Sequence, residues 1–88
     1  MFYYVYILIL SNNTLYTGST GDLRERIINH SEGRVISTKR YRPVKLIHYE
    51  SYLEKIDALR RERYLKTTEG KRFLRQQIKI ILGKIGYR

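Results

Sequence analysis

Few side chains in this 88-residue chain have a type and spacing suited to chemistry. Tyr6 and Tyr16 stand on either side of a turn, Arg26 and His30 follow one helical turn apart, and Glu62 sits inside an otherwise apolar helical stripe. A phenol can hold or pass a proton, a guanidinium fork matches phosphate or carboxylate oxygens, and a carboxylate can hold a hard cation. Each of these also has an ordinary structural use: tyrosines are more often core than catalytic, and a lone core-facing histidine usually packs with a hydrogen bond. His48 takes that packing reading. No HExxH, paired histidines or Asp-x-Asp cluster occurs, so zinc hydrolysis and a two-metal carboxylate site find little support. The absence of cysteine removes thiol chemistry, disulfides and thiolate metal sites.

The elements that must position these residues are readable from pattern. Residues 2–10, FYYVYILIL, are β-branched and aromatic on both alternating faces, as in a strand covered on both sides. SNN at 11–13 supplies a turn, and TLYTGS returns as the second strand of a hairpin. A three-residue loop sets Leu10 against Thr14, Leu8 against Tyr16 and Tyr6 against Gly18, so Tyr6 and Tyr16 share a face as diagonal neighbours. Opposite Tyr6 the side chain is missing.

Asp22 with Glu25 makes a capping box for a helix over 22–32, closing near Gly33. On it, Arg26 and His30 fall on the same side as Leu23 and Ile27, facing the sheet. Residues 44–50 alternate as a third strand. Ser51 with Glu54 predicts a second capping box and a helix over 52–66; Thr67 or Thr68 caps a third helix over 69–82, with Phe73, Leu74, Ile78, Ile81 and Leu82 inward. On the second helix Glu62 projects from the stripe of Ala58, Leu59 and Leu65. A carboxylate there needs a cation: Arg26, a lysine or a bound metal. The expectation is one α+β domain over 1–88, a three-stranded antiparallel sheet flanked by helices in the order β-β-α-β-α-α. Tyr6, Tyr16, Arg26 and Glu62 should open onto one concave face.

Charge bounds the partner. Eighteen Lys and Arg against 8 Asp and Glu give +10, and a field of that sign attracts polyanions, nucleic acid first. An anionic membrane is disfavoured, because the basic residues accompany no Trp/Phe-rich apolar face. The opening MFYYVYILIL is too short to span a bilayer and has neither a positive n-region nor a cleavage site, so a cytoplasmic location is expected.

These residues together resemble the GIY-YIG nuclease family, in particular its small single-domain bacterial type and the N-terminal nuclease module found in excinuclease. The two signature tripeptides correspond to Tyr4-Val5-Tyr6 and Tyr16-Thr17-Gly18, their tyrosines ten residues apart. Tyrosine stands where the family has its first glycine, and valine and threonine replace its isoleucines. The family's arginine corresponds to Arg26, its frequent histidine to His30 and its metal-binding glutamate to Glu62 within ALRRERYLK. The resemblance spans about residues 3–82 and includes RPVKLIHYE.

It implies hydrolysis of a DNA phosphodiester by a water in line with the leaving 3′ oxygen, aided by one divalent ion, Mg²⁺ or Mn²⁺, at Glu62. Tyr6 is the favoured base, its phenolate favoured by Arg26, with Tyr16 orienting water and phosphate. Arg26 clamps phosphoryl oxygens, and His30 contacts phosphate or relays a proton. Gly18 leaves room for the scissile phosphate, and Lys39, Arg40, Arg42, Arg61 and Lys66 hold the DNA backbone without reading sequence. Specificity is then expected from DNA structure or from a protein partner, in DNA repair or processing. The competing reading is a catalytically idle nucleic-acid-binding module of the same fold.

Overall fold

A computed structural model describes Met1 to Arg88. The aromatic and β-branched opening run forms β1 (Tyr3–Ile9), the centre of a three-stranded antiparallel sheet ordered β2-β1-β3. A central strand covered on both faces needs apolar side chains on both, and Val5, Tyr6, Ile7 and Leu8 are all buried. β2 (Leu15–Thr20) returns through a tight turn in which Asn13 adopts a φ of 64°. Turn length dictates the register, with Leu8 opposite Tyr16 and Tyr6 opposite Gly18. β3 (Lys45–Tyr52) pairs along the other side of β1.

Alternation sorts the sheet's side chains onto two faces. On one, Tyr6, Leu8 and Leu10 pack with Tyr16, Val44, Leu46 and the Leu23–Ile27 stripe of α1 (Leu23–Ser31). On the other, Val5 and Ile7 join Ala58 and Leu65 of α2 (Lys55–Leu65), Leu74 of α3 (Thr68–Gln77), Ile78, and Leu82 of α4 (Lys79–Lys84). α1 begins as its capping pattern predicts: Asp22 accepts a hydrogen bond from the Glu25 amide at 3.1 Å. Thr67 likewise caps α3 through the Gly70 amide at 3.0 Å. Gly70 also lets α2 and α3 meet closely, since a Cβ there would stand 2.7 Å from the Tyr64 carbonyl carbon.

Two local patterns yield to tertiary structure. Ser51 and Tyr52 do not open a helix; they extend β3 opposite Tyr4 and Tyr3, where the ladder to the central strand satisfies their backbone groups. α2 starts only at Lys55, after an N-cap Glu54 whose side chain makes no capping bond. The expected third helix is two helices, because the backbone leaves helical geometry at Ile78 (φ −111°, ψ 29°). Ile78 and Leu82 are buried as expected, whereas Phe73 is half-exposed beneath the Arg72 guanidinium, 5.0 Å from its ring centroid.

Candidate active site at the edge of strand β2

Gly18 lacks a side chain because Tyr6 fills the space. A Cβ at Gly18 would lie 2.5 Å from the Tyr6 Cζ, so the phenol crosses β2. The room that the sequence reading reserves for a phosphate therefore holds the tyrosine ring itself. Tyr6 is fully buried, its Oη 2.8 Å from His30 Nε2 and accepting a hydrogen bond from Arg26 Nε at 3.3 Å. His30 is equally buried, with Nδ1 2.8 Å from Thr38 Oγ1. Tyr16 stands on the same face, its ring 6.4 Å from Tyr6 and 5.2 Å from His30 between centroids. It is partly exposed, and its hydroxyl accepts from Ser37 Oγ at 3.3 Å.

This environment changes the expected chemistry of Tyr6. Burial pushes its pKa up, aided by the nearby Tyr16 and Glu62, and outweighs the hydrogen bond and charge of Arg26 that pull it down. Tyr6 is a neutral phenol sealed from solvent, contrary to its expected role as a phenolate base. His30 is pushed down by burial and by the Arg26 charge, which keeps its imidazole neutral. Arg26 is held more firmly protonated, chiefly through its hydrogen bond to Tyr6. Of the two phenols, only Tyr16 reaches the surface beside the guanidinium.

Glu62 arrives from the other side of the sheet, a correction to the single concave face. Its carboxylate accepts from Ser19 Oγ at 2.6 Å, and Ser19, opposite Val5 in the register, faces α2 rather than α1. Gly18, under Tyr6, and Ser19, which bonds Glu62, are consecutive on the edge strand β2, and the charge of Glu62 acts on Tyr6. The other Glu62 oxygen accepts from Lys66 Nζ at 2.9 Å, the cation that its place in the stripe demands. Burial pushes the Glu62 pKa up, but the hydrogen bonds from Ser19 and Lys66 and the lysine's charge hold it below its ordinary value.

The donor set suits one hard cation. No three His, Cys, Asp or Glu residues gather anywhere, so a divalent ion here would rely on the ionised Glu62, water and substrate phosphate, as Mg²⁺ commonly does. Lys66, the partner of Glu62, is 57% exposed.

Three of the basic residues read as DNA contacts already have partners within the protein. Arg61 clamps Glu50 through Nε at 2.8 Å and Nη2 at 3.2 Å, which corrects its assignment as a phosphate ligand. Arg42 lies over Gly33 and donates to the Lys39 and Ser31 carbonyls at 3.1 and 3.5 Å. Lys66 holds Glu62. Lys39 and Arg40, exposed on a 3₁₀ turn (Lys39–Tyr41) directly after Thr38, have no side-chain partner.

Sequence reasoning missed Ser19, Ser37, Thr38 and Glu50. Strand alternation from Gly18 could have placed Ser19 toward α2. Nothing local marks Ser37 or Thr38, whose partners lie 21 and 8 residues away.

A Tyr-His-Arg network, buried at Tyr6 and His30, thus stands against a glycine-notched edge strand. The GIY-YIG catalytic domain model matches residues 2–76, and the chain belongs to the GIY-YIG family. A domain of this class implies nuclease-type activity. Among curated proteins the chain is similar to a UPF0213 protein of Staphylococcus haemolyticus, 42% identical over 85% of this chain and 87% of that one. It is also similar to a UPF0213 protein of Pediococcus acidilactici, 36% identical over 83% and 78% of the two chains. Among solved structures it is similar to the solution structure of UPF0213 protein BH0048 from Bacillus halodurans, with a TM-score of 0.57, 32% identity, and coverage of 88% of this chain and 85% of that one. No helix is long and apolar enough to cross a membrane.

Proposed function

We propose that this chain is a metal-dependent endonuclease that hydrolyses DNA phosphodiester bonds, directed by DNA structure or by a protein partner. The observation that carries this reading is Arg26, anchored on the buried Tyr6 hydroxyl by its Nε while its remaining donors stand beside Tyr16. Arginine fixed through one nitrogen presents its other two to an incoming phosphate, with little reorganisation left for the reaction itself. Tyr16, partly exposed and oriented by Ser37, holds the attacking water, and its phenolate form, with Arg26 beside it, takes the water's proton to become the phenol. Tyr6 and His30 do not touch water; they hold Arg26 in place. A divalent ion at Glu62, Mg²⁺ or Mn²⁺, would supply positive charge to phosphate oxygens and to the departing 3′ oxygen. Lys39 and Arg40 meet the DNA backbone next to this site.

The pairing of Glu62 with Lys66 favours the second reading, a nucleic-acid-binding module whose carboxylate serves an internal ion pair. Cleavage assays with Mg²⁺ or Mn²⁺ on linear, nicked, flapped and branched DNA separate the two. The expected result is metal-dependent cutting of at least one substrate that Arg26→Ala abolishes. Tight binding without cutting on every substrate would establish the module instead.

A further inference from the structure

The polar atoms behind Arg26 form a chain whose protons can be counted. Tyr6 Oη has two neighbours, Arg26 Nε and His30 Nε2, and arginine only donates. A buried hydroxyl proton without an acceptor is costly, so the Tyr6 proton must point to His30 Nε2. Nε2 is then the unprotonated nitrogen, and the neutral ring carries its proton on Nδ1. That N–H donates to Thr38 Oγ1 at 2.8 Å, and the Thr38 hydroxyl turns to the Val35 carbonyl at 3.5 Å. In the opposite tautomer Nε2–H and Arg26 Nε–H would both aim at the Tyr6 oxygen, leaving the Tyr6 proton with no acceptor. Every buried side-chain polar atom has a partner within reach, and only the first arrangement also gives every proton an acceptor.

We infer that Thr38 is a positioning residue: it accepts the Nδ1 proton of the tautomer that Tyr6 and Arg26 require, and so fixes the His30 ring that turns the Tyr6 proton inward and presents a Tyr6 lone pair to Arg26. The inference rests on the nuclease reading for its consequence, but not for its chemistry. Three further features support it. Thr38 and His30 are both completely buried, so water cannot substitute for either. The groups that face the imidazole are Tyr6 from β1, Tyr16 from β2 and Arg26 from its own helix, and none offers Nδ1 an acceptor. Burial and the Arg26 charge also keep the ring neutral, so a single tautomer is a meaningful state. Thr38 immediately precedes Lys39 and Arg40, so this loop supplies both the buried anchor and the outward charge.

The test is long-range proton–nitrogen NMR of the His30 ring in the full chain, free of DNA and metal. Wild type should show a protonated Nδ1 and an unprotonated Nε2; an Nε2–H ring or a doubly protonated ring overturns the inference whether or not the chain cuts DNA. Thr38→Val removes the acceptor and should move the Nδ1–H resonance away from its hydrogen-bonded shift while Nε2 stays unprotonated, whereas Thr38→Ser should retain the wild-type spectrum. If Thr38→Val does not fold, Thr38→Ala serves in its place. Cleavage of the best substrate from the Mg²⁺ assays should fall about 10–100-fold in kcat for Thr38→Val, with KM little changed and recovery in Thr38→Ser. An unchanged Nδ1–H resonance in the valine and alanine variants would show that Thr38 does not hold the ring. A chain that never cuts DNA, yet shows the expected spectra, would instead remove the nuclease reading and leave the tautomer assignment intact.

Discussion

Arg61 and Glu62 are neighbours on α2, yet they reach opposite edges of the sheet. Arg61 turns toward β3 and closes a cluster in which Glu50 receives Arg61, His48 Nε2 at 3.0 Å and Tyr52 Oη at 2.8 Å. Glu62 turns toward β2 and receives one hydroxyl and one half-exposed lysine. The hydrogen bond from His48, with those from Arg61 and Tyr52, overcomes burial and holds the Glu50 pKa down to about 2. Both carboxylates are ionised and partly buried, but only Glu50 has its lone pairs directed at anchored groups. The comparison distinguishes a carboxylate held by three side chains from one held by a hydroxyl and an exposed lysine, and the metal proposed above belongs to the second.

The largest expected effect breaks the β2 side. Glu62→Gln should lower Mg²⁺-dependent cleavage on the order of 10³-fold, while metal-free DNA affinity stays equal or rises and Tm moves little. Cleavage near wild type, or a large fall in Tm, would place Glu62 with Glu50 as a structural ion-pair partner.

The matching change on the β3 side should do the reverse. Glu50→Gln leaves Arg61 and His48 without their shared anion and should cost about 2–3 kcal/mol, lowering Tm by roughly 10–20 °C in a chain of this size. Where the variant remains folded, its cleavage rate should stay within about twofold of wild type, as checked by paired melting and single-turnover assays.

A subtler consequence is seen in acid. The folded pKa of Glu50, about 2, lies below the ordinary carboxylate value, so the folded state binds fewer protons than the unfolded chain. Its contribution is complete above about pH 5 and is lost as pH falls toward 2. Denaturant titrations over that window should show a smaller loss of stability in Glu50→Gln than in wild type; parallel slopes would mean that Glu50 is not the group responsible.

The smallest effect concerns surface charge. Removing Lys39 and Arg40 together should reduce the slope of log affinity against log salt by about 2 and weaken binding to all sequences alike. Loss confined to one sequence would mean that these residues read bases.

The sequence made much of the β2 side legible, because its determinants are local. Hairpin length sets Tyr6 against Gly18, and the Asp22 cap starts a helix whose period carries Arg26 and His30 inward. The stripe position of Glu62 likewise required a cation. What escaped depends on partners brought together by folding: Ser19 meets Glu62 across 43 residues, and Arg61 looked like surface charge until β3 delivered Glu50 beside it. The misplaced start of α2 has the same cause, since a cap pattern at Ser51 is local and the ladder to Tyr4 that displaces it is not.

Gly70 carries a lesson for engineering. A helical, buried glycine is a natural target for thermostabilisation, because alanine in a helix interior is favoured by about 1 kcal/mol. Here the added methyl would collide with the backbone at Tyr64, two residues after Glu62, and α2 would have to move to admit it. A library that improves helix propensity wherever it is weak would therefore shift the carboxylate relative to β2. Tolerance at position 70 is set by the spacing of two backbones, and stabilising designs should begin on other helix surfaces.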